Sequence, residues 1–349
     1  MLQFISGYIV KQRGDKCKLI MRRRQDLLRK VISVFFIFLT LSACGGKTDQ
    51  NKINIAVIGK AKTSYWDYVR LGAEAAGRDL GVKVRFFVPP TSAEDPAWQV
   101  RKIEELATES VDGIAFAASD PKSIAASILK AMKSEIPCIA LDTDVSKSRH
   151  AYIGTGNYDA GQQSGEKMVE LLGGKGKVAI LTDPSAIESL QRTQGFRDVL
   201  AEHASVEVAA MIEKGGSAIQ EADVDSLLNL HPDLSGIFCT SDTGGIATAR
   251  AVQKANKAGK VNVICIGESS DVVKYVWDNV IQVAVSRRPY KMGYLSVLVL
   301  HNMARTGINN ALMILPKSKM IDPGVVLITP SNVAQYIEDL KKLGIKVQF

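Results

Sequence analysis

The residues able to do chemistry in this chain recur where short apolar runs stop. Residues 53–58 run into Gly59-Lys60, 113–118 into Ser119-Asp120, and 137–141 into Asp142-Thr143. Farther along, 178–181 leads to Asp183, 237–240 to Ser241-Asp242, 263–266 to Gly267-Glu268, and 281–285 to Ser286-Arg287. Carboxylates, hydroxyls and cations at such ends can grip a polar ligand through hydrogen bonds. The sets that catalysis needs do not appear. There is no Gly-x-Ser-x-Gly, no His-Glu-x-x-His and no P-loop. Gly154 to Asp159 falls one residue short of a dinucleotide fingerprint and reads as a hinge followed by a helix capped by Asn157. His150, His203, His231 and His301 lack ligand spacing, so no metal, no cofactor and no enzyme activity are expected.

The elements that must position those ends alternate. After the first strand, Trp66, Val69, Ala73, Ala76 and Leu80 share one helical face, and Gly81 stops the helix. A strand at 82–88 ends at Pro89-Pro90, a helix spans 97–109, and Asp120-Pro121 opens another as N-cap and first helical residue. Strands at 178–181, 206–212, 237–240, 263–267 and 281–285 then alternate with helices near 186–203, 219–230, 243–258 and 270–279. A helix at 288–306, a strand at 325–329 and a helix at 331–343 follow. Short apolar strands alternating with helices predict parallel sheets covered on both faces. Two such units, about 53–155 and 157–286, place a cleft between them, and in open α/β sheets ligands lie at the carboxyl ends of strands.

The net charge of +8 does not point to nucleic acid, because residues 1–43 alone carry nine Lys/Arg and two Asp. Arg22, Arg23, Arg24, Arg29 and Lys30 precede an apolar run at 31–40, which ends in Leu41-Ser42-Ala43-Cys44. The run is far short of the ~20 apolar residues of a spanning helix and reads as a secretory signal, with translation starting at Met21. The stretch resembles a bacterial lipobox. That implies a signal peptide over 1–43, lipidation of Cys44, a tether over 44–52, and a protein held extracytoplasmically on a bacterial membrane. Cys138, Cys239 and Cys265 sit in apolar runs and read as buried strand thiols; a Cys239–Cys265 disulfide stays open if their strands are neighbours.

The alternation is joined by particular stretches: Ile55-Ala56-Val57-Ile58, Tyr65-Trp66, Pro137 to Asp142, Tyr152 to Asn157, Arg192-Thr193-Gln194-Gly195-Phe196, and Ile237 to Asp242. In this order and spacing the chain resembles the type I periplasmic binding proteins, particularly the ribose- and galactose-binding branch. The resemblance implies an α/β fold of two doubly wound parallel-sheet, Rossmann-like lobes joined by a three-stranded hinge. The lobes would be 53–155 plus 288–320 and 156–287 plus 321–349, with crossings near Thr155-Gly156, Arg287 and 319–323.

It also implies a ligand site at the lobe interface. Tyr65 and Trp66 match aromatics that cover a sugar ring, although Trp66 also has the spacing of a core residue. Asp142 matches the carboxylate after the fourth strand. Arg192 matches the second-lobe arginine, whose fork can donate two bonds to one polyol. Asp242 matches a second-lobe carboxylate or serves only as a helix cap. Arg287 falls at the second hinge crossing. The chain departs from the family pattern at Thr143, where arginine is common, at Glu268, near the place of an aspartate, and at Lys60. Lys60, Arg192 and Arg287 offset Asp142, Asp242 and Glu268, and such balance fits a neutral sugar or polyol better than a phosphate or dicarboxylate.

The implied activity is capture of a monosaccharide or polyol by hinge closure and delivery to an ABC transporter permease by a monomer. The alternative is a sensory protein presenting a sugar, or a furanosyl autoinducer-type signal, to a chemoreceptor or histidine kinase. The repressors that share this fold need a helix-turn-helix ahead of the first lobe, and residues 1–52 offer a signal and a tether instead.

Overall fold

The computed structural model describes residues 52–347. The signal segment, Met21, Cys44 and all of the tether but Lys52 lie outside the described residues. The first sheet is built from β1 (Asn54–Ile58), α1 (Ser64–Leu80), β2 (Lys83–Phe87), α2 (Pro96–Thr108), β3 (Gly113–Phe116), α3 (Pro121–Lys133), β4 (Cys138–Leu141) and β5 (Ala151–Ile153). The second follows as α4 (Asn157–Leu171), β6 (Gly176–Thr182), α5 (Ile187–Ala201), β7 (Val206–Glu213), α6 (Glu221–Leu230), β8 (Leu234–Cys239), α7 (Asp242–Lys254), β9 (Asn262–Ile266), α8 (Ser270–Trp277) and β10 (Val283–Ser286). The chain ends in α9 (Pro289–Thr306), α10 (Ile308–Met313), β11 (Met320–Ile321), β12 (Val326–Ile328) and α11 (Val333–Lys342).

The strand orders are β2-β1-β3-β4-β5-β11 and β7-β6-β8-β9-β10-β12. Each lobe thus winds outward from its first strand and back, which leaves a crevice at the carboxyl ends. The pairings are parallel except β10 with β12. Every residue of β3, β4 and β10 is buried, the pattern of strands covered on both faces. The short strands β5 and β11 and helix α10 carry no periodicity to mark them and go unassigned in the sequence reading. Met320 and Ile321 pair with the first sheet, so the third crossing falls between Ile321 and Val326, slightly later than expected. Cys239 lies opposite Cys265 on neighbouring strands, and both are free, buried thiols.

Helix starts follow local chemistry. Asp95 caps α2 by accepting from Trp98 N, and Asp120 caps α3 by accepting from Lys122 N, each with proline next. One expected cap differs. Asn157 is the first residue of α4 rather than its cap, the cap position is Gly156, and the Asn157 side chain is turned to Arg192.

Each lobe fixes its site-bearing helix in the same way. A Cβ at Gly161 of α4 would lie 2.1 Å from the Arg192 carbonyl oxygen, and one at Gly195 of α5 would lie 2.1 Å from the Tyr158 oxygen. In the first lobe, a Cβ at Gly72 of α1 would lie 1.9 Å from the Tyr290 oxygen, and one at Gly293 of α9 would lie 1.9 Å from the Val69 oxygen. Reciprocal glycines therefore let α4 cross α5, and α9 cross α1, at backbone contact. Both α4 and α9 directly follow a crossing between sheets, so the hinge is coupled by close packing to the helices that carry Arg192 and Tyr65.

Candidate functional site

Asp142 is the hub. It follows β4 with φ 60°, a left-handed backbone that aspartate tolerates better than most residues, and this ends the strand. Its Oδ2 lies 3.0 Å from Lys60 Nζ, and its Oδ1 accepts from Tyr65 OH at 2.9 Å. Its backbone oxygen accepts from Tyr152 OH at 2.6 Å. Burial opposes its charge. The Lys60 ammonium, then Arg287, then hydrogen bonds from Lys60 and Tyr65 outweigh that and hold the carboxyl well below its usual range. Burial likewise disfavours the Lys60 charge, but Asp142 and next Glu188 raise its pKa. Burial, followed by the Asp142 charge, pushes the Tyr65 phenol well above its ordinary value, so it donates as a neutral hydroxyl.

Buried Gln99 ties the carboxyl ends of β1 and β3 together. Its Nε2 donates to the Gly59 and Ala117 oxygens at 3.0 and 2.7 Å, and its Oε1 accepts from Ser119 N at 2.9 Å. Trp66 is 5% exposed, packed in the first-lobe core and T-shaped against Tyr65 at 5.0 Å. A Cβ at Gly59 would stand 2.9 Å from the Trp66 ring, so glycine there lets the indole lie over the end of β1.

From the second lobe, buried Arg192 donates through Nε to Asn157 Oδ1 and through Nη1 to the Thr240 oxygen, both at 2.9 Å. These acceptors are neutral. Burial, followed by repulsion from Arg287, lowers its pKa to about 10, so it remains a cation at neutral pH. Arg287 donates through Nη2 to Glu268 Oε1 at 2.7 Å, and its backbone N donates to Oε2 at 2.8 Å. Its Nε is buried without a hydrogen-bond partner. Asp242 Oδ1 accepts from Ser269 N at 3.1 Å and Ser269 Oγ at 2.8 Å, while Oδ2 lies 3.8 Å from Arg287. Burial and then the Glu268 charge push the Asp242 carboxyl upward.

These groups surround a cavity of about 740 Å³, a volume within the usual range for ligand sites. Of the nine candidates, Lys60, Tyr65, Trp66, Asp142, Arg192 and Arg287 stand in its wall. Thr143, Asp242 and Glu268 lie behind it. Thr143 receives Lys60 Nζ at 2.6 Å, Glu268 holds Arg287, and Asp242 anchors Ser269, the side-chain cap of α8. Ser241, not Asp242, caps α7. The wall also contains Glu94, Asp183, Glu188, Ser189 and Lys214, none of which the candidate set includes. Gln99 carries a signal, being a polar residue on the same buried face as Ile103 and Leu106. Glu188 carries none, because its partner is 45 residues away.

Two doubly wound lobes that hold aromatics, carboxylates and arginines around one cleft define a solute-binding fold. The family described as periplasmic binding protein domain matches residues 55–308. The chain belongs to that family of binding proteins, in its type I, ribose-binding-like branch. It is 24% identical over 277 residues to the D-allose-binding periplasmic protein of Escherichia coli, covering 76% of this chain and 89% of that one. AraP, an arabinose-binding protein from Geobacillus stearothermophilus, superposes with a TM-score of 0.74 at 28% identity, over 82% of this chain and 99% of its own. An ABC transporter solute-binding protein from Burkholderia graminis, in complex with D-arabinose, superposes with a TM-score of 0.70 at 31% identity, over 83% of this chain and 99% of its own.

Proposed function

We propose that this chain is an extracytoplasmic binding protein that captures a monosaccharide or polyol between its lobes and delivers it to an ABC transporter permease. The carrying observation is the pairing of Tyr65 and Trp66 with Asp142 on one side of the cleft, facing Arg192 and Arg287 on the other. Aromatic faces cover the apolar C–H surface of a sugar ring. Carboxylate and guanidinium groups already fixed by Lys60, Asn157 and Glu268 present oriented partners to its hydroxyls at little ordering cost. The sugars named for similar proteins, allose and arabinose, support a ligand of this class.

The lobes are 53–155 with 288–321 and 156–287 with 322–349, and the ligand acts by favouring the closed arrangement through contacts to both. Thr143, Asp242 and Glu268 serve the site through the groups they hold. The signal over 1–43 and acylation of Cys44 place a monomer on the membrane surface, close to its membrane partner.

A thermal-shift screen of pentoses, hexoses, inositols and sugar acids tests the reading, since a ligand of the native state raises the melting temperature. A neutral sugar or polyol is the expected hit. A shift with sugar acids alone, or with none of these, overturns it.

A further inference from the structure

Glu188 is a carboxylate of the cleft wall that reaches from one lobe to the other. It stands in the first turn of α5, where the partial positive charge of a helix start favours an anion and where Ala186 supplies no side-chain cap. Its Oε1 accepts from Thr143 Oγ1 at 2.6 Å. Thr143 follows β4 in the first lobe, is 6% exposed, and accepts in turn from Lys60 Nζ at 2.6 Å. Lys60 pairs with Asp142, which receives Tyr65 OH. One chain of hydrogen bonds therefore runs from Glu188 in the second lobe through Thr143, Lys60 and Asp142 to Tyr65. Only its first bond crosses between lobes.

Two cavities meet there. The 740 Å³ cleft and a second cavity of about 330 Å³ beside the Thr155–Asn157 crossing share Asp142 and Glu188 in their walls. Opening the lobes must break the Glu188–Thr143 bond and merge the two spaces.

We infer that Glu188 is a positioning residue for closure. By latching onto Thr143 it fixes the closed geometry and, through Thr143 and Lys60, the orientation of Asp142 toward the ligand. The inference rests on the reading of the cleft as a sugar site that closes, and deepens it. It separates two roles that wall residues can have. Thr143 does not line the cleft, so a role for the pair cannot come from contact of both residues with ligand.

The test is a double-mutant cycle read by interlobe distance. Spin labels at exposed Lys130 and Lys175 report on the two lobes in the otherwise unaltered chain. Glu188→Ala and Thr143→Ala should each lower the closed-to-open ratio at saturating sugar by on the order of tenfold, the worth of one hydrogen bond to an ionised group. The double variant should fall no further than either single one. Glu188→Gln should restore part of the ratio, because its amide oxygen still accepts the Thr143 hydroxyl but without the charge. A purely structural role would lower the melting temperature and leave the ratio at saturation unmoved. An unchanged ratio in Glu188→Ala, or additive losses in the double variant, overturns the latch. If no sugar shortens the distance in the parent protein, the sugar reading fails instead. The same cycle on the ligand-free distance distribution then decides the latch: non-additive loss of the short component supports it, and identical distributions overturn it.

Discussion

The Arg287 guanidinium lies 4.2 Å from the centroid of the Tyr65 ring, so a cation at the second hinge crossing stacks on an aromatic of the opposite lobe. The same guanidinium is bonded to Glu268, and the same phenol donates to Asp142. Hinge, cleft wall and central carboxylate are therefore held by one stack.

Glu268 is the support of that stack, and it is 1% exposed. Glu268→Ala removes both acceptors of Arg287 and leaves a largely buried guanidinium with only the more distant Asp242 as countercharge, at a cost of about 3 kcal/mol. Urea unfolding should show this loss. Asp242→Ala, whose carboxylate is 3.8 Å from Arg287, should cost clearly less. Equal losses would mean that the Arg287 pairing does not carry the difference.

Arg192→Ala should weaken sugar binding more than it weakens the fold. The side chain spends Nε and Nη1 on Asn157 and Thr240, so its removal leaves two neutral acceptors that water can reach from the cavity it vacates. We expect a loss of about 1–2 kcal/mol in stability, and about 10- to 100-fold in affinity for a lost charged hydrogen bond. Titration calorimetry and thermal melts separate the two. Unchanged affinity would remove Arg192 from the site.

Asp142 and Asp242 should give stability opposite dependences on pH. The folded state holds the Asp142 pKa below its unfolded value of about 3.9, so its stabilisation is complete above about pH 4 and is lost as the pH falls toward the lower, folded value. Asp242 is raised on folding, so its contribution is most favourable below about pH 3.9 and declines as the pH rises through its folded value. Asp142→Asn should therefore cost stability at neutral pH and less in acid. Asp242→Asn should be neutral to stabilising at pH 7, with the difference closing in acid, because its amide oxygen can still accept from Ser269. Unfolding midpoints from about pH 3 to 7 check both signs.

The sequence exposes the strand ends because each buried strand must return to polar surroundings, and that is why Lys60, Asp142, Asp242, Glu268 and Arg287 stand out together. It does not say which of two adjacent polar residues faces the cleft. The alternation of a strand stops at Leu141, since Asp142 turns left-handed, and nothing local carries orientation on to Thr143. Asn157 and Glu188 stay hidden for a different reason: each acts through a partner 35 or 45 residues away, and that pairing exists only once α4 packs on α5 and the lobes meet. Trp66 has the core position that its spacing implies and also lines the cleft.

Gly195→Ala isolates this long-range dependence. Gly195 does not line the cleft, yet its added methyl would fall 2.1 Å from the Tyr158 oxygen and 3.0 Å from the Gln162 nitrogen, both rigid backbone atoms. Helix α5 must then withdraw from α4, and Arg192, three residues earlier, moves away from Asn157 on the facing helix. Overpacking of this kind costs about 1–3 kcal/mol. Alanine otherwise favours a helix interior by roughly 1 kcal/mol over glycine, so a net loss reports the clash rather than propensity. Affinity should fall with stability, and Gly161→Ala, which meets the Arg192 carbonyl itself, should do the same. The matching change in the first lobe, Gly72→Ala, should act on Tyr65 and Trp66 instead. Wild-type melting temperatures and affinities in all three variants would show that α4 and α9 do not set the positions of the binding helices.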